Sequence, residues 1–96
     1  MKKDKEKVLD EVWTESRVRE FLDSEPKAGT NRDFHALLKA YQSMRADAFE
    51  LFIGMFLEAG RDLNATDKSG RTVLSYAKEH RNSGEHVAAL ESKGAV

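Results

Sequence analysis

Three histidines are the residues of this 96-residue chain that could bind a transition metal. Neutral imidazole is a common ligand of zinc and nickel, and Glu79 or Glu85 could add a carboxylate oxygen. Helical metal sites usually present two ligands four residues apart on one face. Because His35, His80 and His86 are not spaced in this way, we interpret them as surface or half-buried residues and expect no metal or other cofactor.

A run of oxygen-bearing side chains gives a second candidate site: Asp62, Asn64, Thr66 and Asp67. Such a run is similar to a calcium-binding loop, in which oxygen ligands recur along the chain. The glycine at the sixth position and the late glutamate of that loop are both missing here. We therefore expect these side chains to hydrogen-bond to the backbone of the turn that carries them.

Ser75, His80 and Asp67 are the residues from which a nucleophilic relay would have to be built. Ser75 and His80 are five residues apart on one predicted helix, so they do not face each other. A serine hydroxyl acts as a nucleophile only when a base lies within hydrogen-bond reach. We therefore assign no catalytic residue and expect the protein not to be an enzyme.

The composition narrows the class of function further. The chain has 16 Lys+Arg against 17 Asp+Glu, whereas domains that bind nucleic acid usually carry a basic excess. There is no cysteine, so disulfides and thiolate metal sites are excluded. No apolar run is long enough to cross a membrane. We expect a cytoplasmic monomer that makes no membrane contact.

Apolar residues recur with helical spacing in five segments, and no segment shows the period of two that is typical of strands. The predicted helices are 15–23, 31–43, 46–59, 72–81 and 85–92. The sequence pattern therefore predicts an all-α fold of about five helices, packed as one small globule over residues 8–96. The Lys-rich residues 1–7 have nothing to bury, and we predict that they form a disordered tail.

The third predicted helix is apolar on nearly all sides, which is typical of a buried helix. Its polar positions form one thin stripe, and the opposite face carries Phe49, Phe52, Ile53, Phe56 and Leu57. We therefore expect this helix at the centre of the core, with Phe52, Ile53 and Phe56 almost fully buried. Trp13, packing back on the first helix, or Phe21 is expected to cover one flank.

The most informative segment is the polar turn between the third and fourth helices, within residues 59–77. Gly60 suits the left-handed position just after a helix, and Gly70 follows a run of turn formers that begins at Asp67. Thr72 is placed to cap the next helix with its hydroxyl. The pattern predicts a structured turn in which Gly70 has a positive φ.

This turn and the helix pair after it resemble the ankyrin repeat, which is a turn followed by two antiparallel helices. The matching positions are Asp67, Gly70, Thr72, Leu74 and Ala77. The resemblance extends over residues 58–95, with the unit itself at about 60–95, and Val73 and Ser75 depart from the family pattern. It implies stacked helical hairpins and a role in protein–protein interaction.

The whole chain also resembles a family of short gammaproteobacterial proteins with no known activity. The matching segments are 3–8, 33–41 and 44–47, together with the 59–72 turn. This resemblance implies a bacterial protein and adds no function.

Exposed loops on rigid scaffolds often bind partners. We therefore predict a non-enzymatic interaction module whose unknown protein partner binds the turn and the exposed face of the fourth helix. The predicted contact residues are Arg61, Lys68, Ser69, Arg71, Ser75 and Lys78. The alternative is a nucleic-acid-associated accessory protein that uses the Lys-rich residues 2–7 with Arg17, Arg19 and Arg45. Affinity that collapses with added salt would favour this alternative.

Overall fold

The structure is a computed structural model that describes residues 13–24, 26, 29–81 and 83–95. Within these ranges it contains five α-helices and no strand, which confirms the predicted all-α fold. Helix α1 is Glu15–Glu20 and continues into a 3₁₀ turn, Phe21–Asp23. The other helices are α2 (Arg32–Ser43), α3 (Ala46–Glu58), α4 (Val73–Ala77) and α5 (Gly84–Ser92). The predicted tail, residues 1–7, lies outside the described residues.

Three of the helices begin at a side chain that satisfies a backbone N–H of the first turn. Thr14, Asn31 and Thr72 each accept a hydrogen bond from the N–H three residues later, at 3.2, 3.1 and 3.1 Å. The first N–H groups of a helix have no partner inside the helix, so these caps fix where α1, α2 and α4 begin.

Helix α4 is shorter than its predicted range of 72–81, because the chain tightens after Ala77. The N–H groups of Glu79 and His80 bond to carbonyls three residues back, both at 3.0 Å, in the manner of a 3₁₀ helix. The side chains of His80 and Ser83 both reach the hydroxyl of Tyr41 on α2. The tighter turn directs this segment toward α2.

The helices are arranged in two layers. Helix α3 packs against α1 on one flank and α5 on the other, while α2 packs against α3 and α4. Helices α1, α3 and α5 therefore form one layer, and α2 and α4 form the second. In chain order, α2–α3 and α4–α5 are two helical hairpins that lie side by side.

The core is centred on α3, as predicted. Phe52, Ile53 and Phe56 have no exposed surface. Trp13 and Phe21 pack against this core from the α1 side, with their rings edge to face at 5.8 Å. Full burial of one such α3 side chain contributes about 1.5–3 kcal/mol, so α3 supplies a large part of the stability.

Leu57 departs from the pattern of α3: the spacing puts it on the apolar face, but 39% of its surface is exposed. The cause is that α1, α2 and α5 pack against α3 on its other sides and leave this side exposed. The exposed side, which we call the α3 outer face, is therefore wider than the predicted polar stripe. It consists of Asp47, Glu50, Leu51, Gly54, Leu57 and Glu58.

Replacing Phe56 with alanine should lower the free energy of unfolding by about 3–5 kcal/mol, because it opens a cavity in the core. Urea denaturation followed by circular dichroism measures this loss. Leu51→Ala, on the exposed side of the same helix, is the matched control and should cost less than about 1 kcal/mol. Equal losses for the two variants would show that α3 is not the centre of the core.

Candidate interaction surface at the turn

The turn between α3 and α4 is held at both ends by residues with left-handed backbone. Gly60 has φ +76° where α3 ends, and Gly70 has φ +80° before α4, so the predicted positive φ is confirmed. The chain closes on itself between Asp67 and Arg71, whose N–H and carbonyl are 3.0 Å apart. This conformation is open to glycine and strained for residues with a β-carbon.

Asp67 organises the far end of the turn. Its Oδ1 accepts hydrogen bonds from the N–H groups of Ser69 and Arg71, at 2.9 and 3.0 Å. Its Oδ2 accepts from the hydroxyl of Tyr76, which joins the turn to α4. The hydrogen bond from Tyr76, with those from the two N–H groups, lowers the pKa of Asp67. The same bond raises the pKa of Tyr76, so the pair is a carboxylate and a neutral phenol at neutral pH.

The Arg71 side chain lies along α4 and is used within the molecule. Its guanidinium donates to Ser75 Oγ at 3.0 Å and to Glu79 Oε2 at 2.5 Å. It also lies over the ring of Tyr76, 4.1 Å from the ring centre. Arg71 therefore stabilises the first turns of α4. Ser75 accepts the bond from Arg71, so both predicted contact residues take part in the packing of α4.

Arg61 lies apart from the tip of the turn and connects three helices. It forms an ion pair with Asp33 at the start of α2, and it donates to the carbonyl of Leu22 at 3.0 Å. Its guanidinium also lies 5.3 Å from the ring centre of Phe56 on α3. Only 13% of the Arg61 side chain is exposed, so its predicted role as a partner contact has less support than its packing role.

Asp33, in the first turn of α2, is the counterpart of Arg61. Its second oxygen accepts from the N–H of Asp62 at 2.9 Å. Burial acts to raise the pKa of Asp33, but the hydrogen bonds from Arg61 and Asp62, with the charges of Arg61 and Arg32, outweigh burial and lower the pKa. No local sequence signal could identify this pair, because its members are 28 residues apart.

Lys68 and Ser69 form the exposed tip of the turn. The ammonium of Lys68 lies over the 29–30 segment, 3.2 Å from the position that a β-carbon on Gly29 would occupy. Lys78, further along, is exposed and pairs with Glu91 of α5 at 3.5 Å. Of the six predicted contact residues, Lys68 and Ser69 are therefore the two whose side chains most directly face solvent at the tip.

A groove opens beside the turn, between α2 and α4, with a volume of about 240 Å³. It is lined by Phe34, Leu38, Gln42, Asp67, Tyr76 and His80. The rings of Phe34 and Tyr76 meet edge to face at 6.2 Å. The groove thus has an apolar floor with polar groups along its rim, and it has room for a single large side chain. No local sequence pattern indicates this groove, because its walls come from two separate helices.

A second long-range cluster lies at one end of this groove. The hydroxyl of Tyr41 is 2.6 Å from His80 Nδ1 and 2.5 Å from Ser83 Oγ. The rings of Tyr41 and His80 are stacked at 5.7 Å. His80 Nδ1 is therefore bonded to Tyr41. Among the described residues, Ser75 makes no hydrogen bond with His80, and its Oγ accepts from Arg71 instead. This arrangement offers no base to Ser75.

The other candidate ligands are also used in local structure. His86 Nε2 donates to the carbonyl of Met44 at 2.8 Å. Asp62 Oδ1 accepts from the N–H of Asn64 at 2.9 Å, which confirms the predicted backbone bonding for Asp62, as the Oδ1 contacts do for Asp67. Among the residues that the structure describes, no three His, Asp or Glu side chains are grouped closely enough to hold a metal ion.

The arginines of the alternative nucleic-acid surface are engaged by neighbouring side chains. Arg19 pairs with Glu15 at 3.1 Å and Arg45 pairs with Asp47 at 3.4 Å. Arg17 lies over the ring of Trp13, 3.9 Å from its centre. The acidic partners offset two of the three charges, and the Lys-rich residues 2–7 lie outside the described part of the chain.

Replacing Gly70 with alanine should destabilise the protein by about 1–2 kcal/mol, because a β-carbon is disfavoured in left-handed backbone. Ser69→Ala changes the neighbouring position and should leave the melting temperature nearly unchanged. Differential scanning calorimetry of both variants makes the comparison. If neither variant changes the melting temperature, the turn does not need the left-handed conformation at Gly70.

Asp33 should stabilise the fold in a pH-dependent way. Its pKa is lowered in the folded state, so its contribution is present above the ordinary value near 3.8 and is lost as the pH falls through the folded pKa. Asp33→Asn should therefore be less stable than the wild type at neutral pH, and the difference should shrink below about pH 4. Urea titrations across this range measure it, with the exposed Asp23→Asn as control. A difference that stays constant with pH would contradict the role given to the Arg61 pair.

None of the helices in the described part of the chain has both the length and the apolar character needed to cross a membrane. No protein-family model, no curated protein and no solved structure matches this chain. The function has to be inferred from the geometry of the site itself.

Proposed function

We propose that the protein is a non-enzymatic interaction module that binds a protein partner at the α2–α4 groove and the adjoining tip of the turn. The observation that carries this proposal is an open groove beside a turn whose backbone is held by its own side chains. A rigid site loses less conformational freedom on binding than a flexible one. Asp67 serves both parts, since it lines the groove and holds the turn.

The groove favours one type of contact. Phe34 and Leu38 form an apolar floor, which suits an aliphatic or aromatic side chain of the partner. Gln42 and His80 on the rim can form hydrogen bonds with the backbone of the partner, and exposed Lys68 can pair with an acidic residue nearby. A large anchoring side chain in a pocket with a polar surround is the usual form of a protein–protein contact.

Two further features support this proposal. The hairpins α2–α3 and α4–α5 stack side by side, which agrees with the interpretation of the 60–95 segment as an ankyrin-like unit. We include the bacterial cytoplasm and a monomeric state in the proposal. Fold analogy is a weaker argument than the site, so the proposal depends on the groove and the turn.

A matched pair of charge reversals tests this function. Lys68→Glu changes the tip of the turn, and Lys39→Glu makes the same change at an exposed position of α2 that does not line the groove. Tagged full-length chains are used to recover partners from the source cells, with and without nuclease, and the partners are identified by mass spectrometry. We expect a protein partner that survives nuclease, is lost with Lys68→Glu and is kept with Lys39→Glu.

Two outcomes would contradict the proposal. Loss of every partner on nuclease treatment would assign the protein to nucleic acid. Equal recovery by the two variants would place the contact away from the turn. Surface substitutions usually change stability by less than about 0.5 kcal/mol, so the thermal unfolding of both variants shows whether each is correctly folded.

A further inference from the structure

The α3 outer face contains a glycine that the fold does not require. Gly54 is in the middle of α3, where glycine costs about 0.5–1 kcal/mol relative to alanine. A β-carbon at this position would meet no atom within 4 Å, and the backbone is helical without a positive φ. Neither internal packing nor backbone conformation therefore explains the residue. Glycine on a helix surface allows a second backbone to approach closely.

Leucines lie three residues before and three residues after this glycine. Leu51 and Leu57 are the large apolar side chains that are exposed among the described residues, and both belong to the α3 outer face. Positions three apart on a helix are neighbours on its surface. The two leucines therefore form an apolar patch with a hollow at Gly54 between them.

Acidic groups surround this patch. Glu50 and Glu58 lie four residues before and after Gly54, and Asp47 lies one turn beyond Glu50. Next to them, a groove of about 380 Å³ runs between α3 and α5, with a wall of Asp47, Glu50 and Glu85 and a floor that is mainly alanine. No basic side chain lines this groove. Because Asp47 is already paired with Arg45 at 3.4 Å, the negative margin around the apolar centre is formed by Glu50, Glu58 and Glu85.

We propose that the α3 outer face is a docking site for a helix of a partner protein that crosses at Gly54 and carries lysine or arginine four residues on each side of the crossing. At that spacing the basic residues meet Glu50 and Glu58 while the central apolar residues contact Leu51 and Leu57. The hollow lets the helix axes approach to about 8 Å. This site is in the α1–α3–α5 layer and is independent of the groove between α2 and α4.

The charge pattern argues against a second copy of this chain as the occupant. In an antiparallel symmetric crossing at Gly54, Glu50 of one copy would face Glu58 of the other. In a parallel crossing, each glutamate would face its own equivalent. Like charges opposed across an interface are destabilising, whereas a basic partner converts the same positions into ion pairs. The complementary partner is therefore a cationic amphipathic helix.

The test uses a designed helical peptide of about 20 residues, with leucine at its centre and lysine four residues to either side. A second peptide has glutamate in place of each lysine. Fluorescence anisotropy gives the affinity for the full chain, and backbone amide shifts locate the contact. We expect the lysine peptide to bind α3 and α5 in a salt-sensitive manner, and the glutamate peptide not to bind.

Variants of the full chain separate this contact from general attraction between opposite charges. Gly54→Leu fills the hollow and should weaken binding by about tenfold, and Glu50→Gln combined with Glu58→Gln should have a similar effect. Ser43→Leu, at an exposed position of α2 that lines neither groove, is the matched control and should bind normally. Circular dichroism shows whether each variant is folded, and if Gly54→Leu does not fold, the double glutamine variant decides.

Three results would overturn the proposal. One is a contact mapped by amide shifts to a surface other than α3 and α5. Another is unchanged affinity in the double glutamine variant. The third is self-association of the wild type, measured by sedimentation, that Gly54→Leu abolishes, since this would make a second copy the occupant. None of these results would affect the groove between α2 and α4, whose test depends on Lys68.

Discussion

Phe49, Phe52, Ile53 and Phe56 all lie on α3, and all four lose their entire solvent-accessible surface. A helix that is apolar on more than one side cannot be covered by a single neighbour. Helices α1, α2 and α5 meet this requirement together, which places α3 between two flanking helices with α2 behind it. The two-layer arrangement follows from that burial. It leaves α2 and α4 side by side in the second layer, and the α2–α4 groove lies between them.

The ion pair between Arg61 and Asp33 adds a directional element to this packing. It connects Arg61, the third residue after the end of α3, with the first turn of α2. Through the carbonyl of Leu22 it also includes the 3₁₀ turn that follows α1. A carboxylate in the first turn of a helix is favoured by the helix dipole. The pair is largely shielded from water, which strengthens it relative to a surface pair. The chain therefore leaves α3 in a fixed direction, and the turn starts from a rigid base.

The local features of this fold could be predicted from the sequence because each depends on a few adjacent residues. The five helices, the cap at Thr72 and the positive φ of Gly70 follow from spacing and side-chain chemistry. The exposure of Leu57 could not be predicted in this way, because it depends on how many neighbours α3 receives. Arg71 is a similar case. Its residue type suggested a partner contact, but its guanidinium lies over the ring of Tyr76 and forms an ion pair with Glu79 within the molecule.

The long-range contacts could not be predicted from the sequence, for a simpler reason. Asp33 and Arg61 are 28 residues apart, and Tyr41 and Ser83 are 42 apart. No periodicity relates such positions, and only the stacking of the hairpins brings them together. The candidate groove depends on the same stacking, so the turn could be recognised from the sequence and the cavity beside it could not.

The hydroxyl of Tyr41 is placed between two groups, His80 Nδ1 and Ser83 Oγ. A phenol has one proton and donates one hydrogen bond, so the two groups cannot both accept from it. When Nδ1 accepts, the Ser83 hydroxyl must donate to Tyr41; when Nδ1 carries a proton, it donates to Tyr41, which then donates to Ser83. The same heavy-atom positions therefore allow the hydrogen bonds to run from Ser83 through Tyr41 to His80, or from His80 through Tyr41 to Ser83. The imidazole tautomer of His80, with or without a proton on Nδ1, decides between the two.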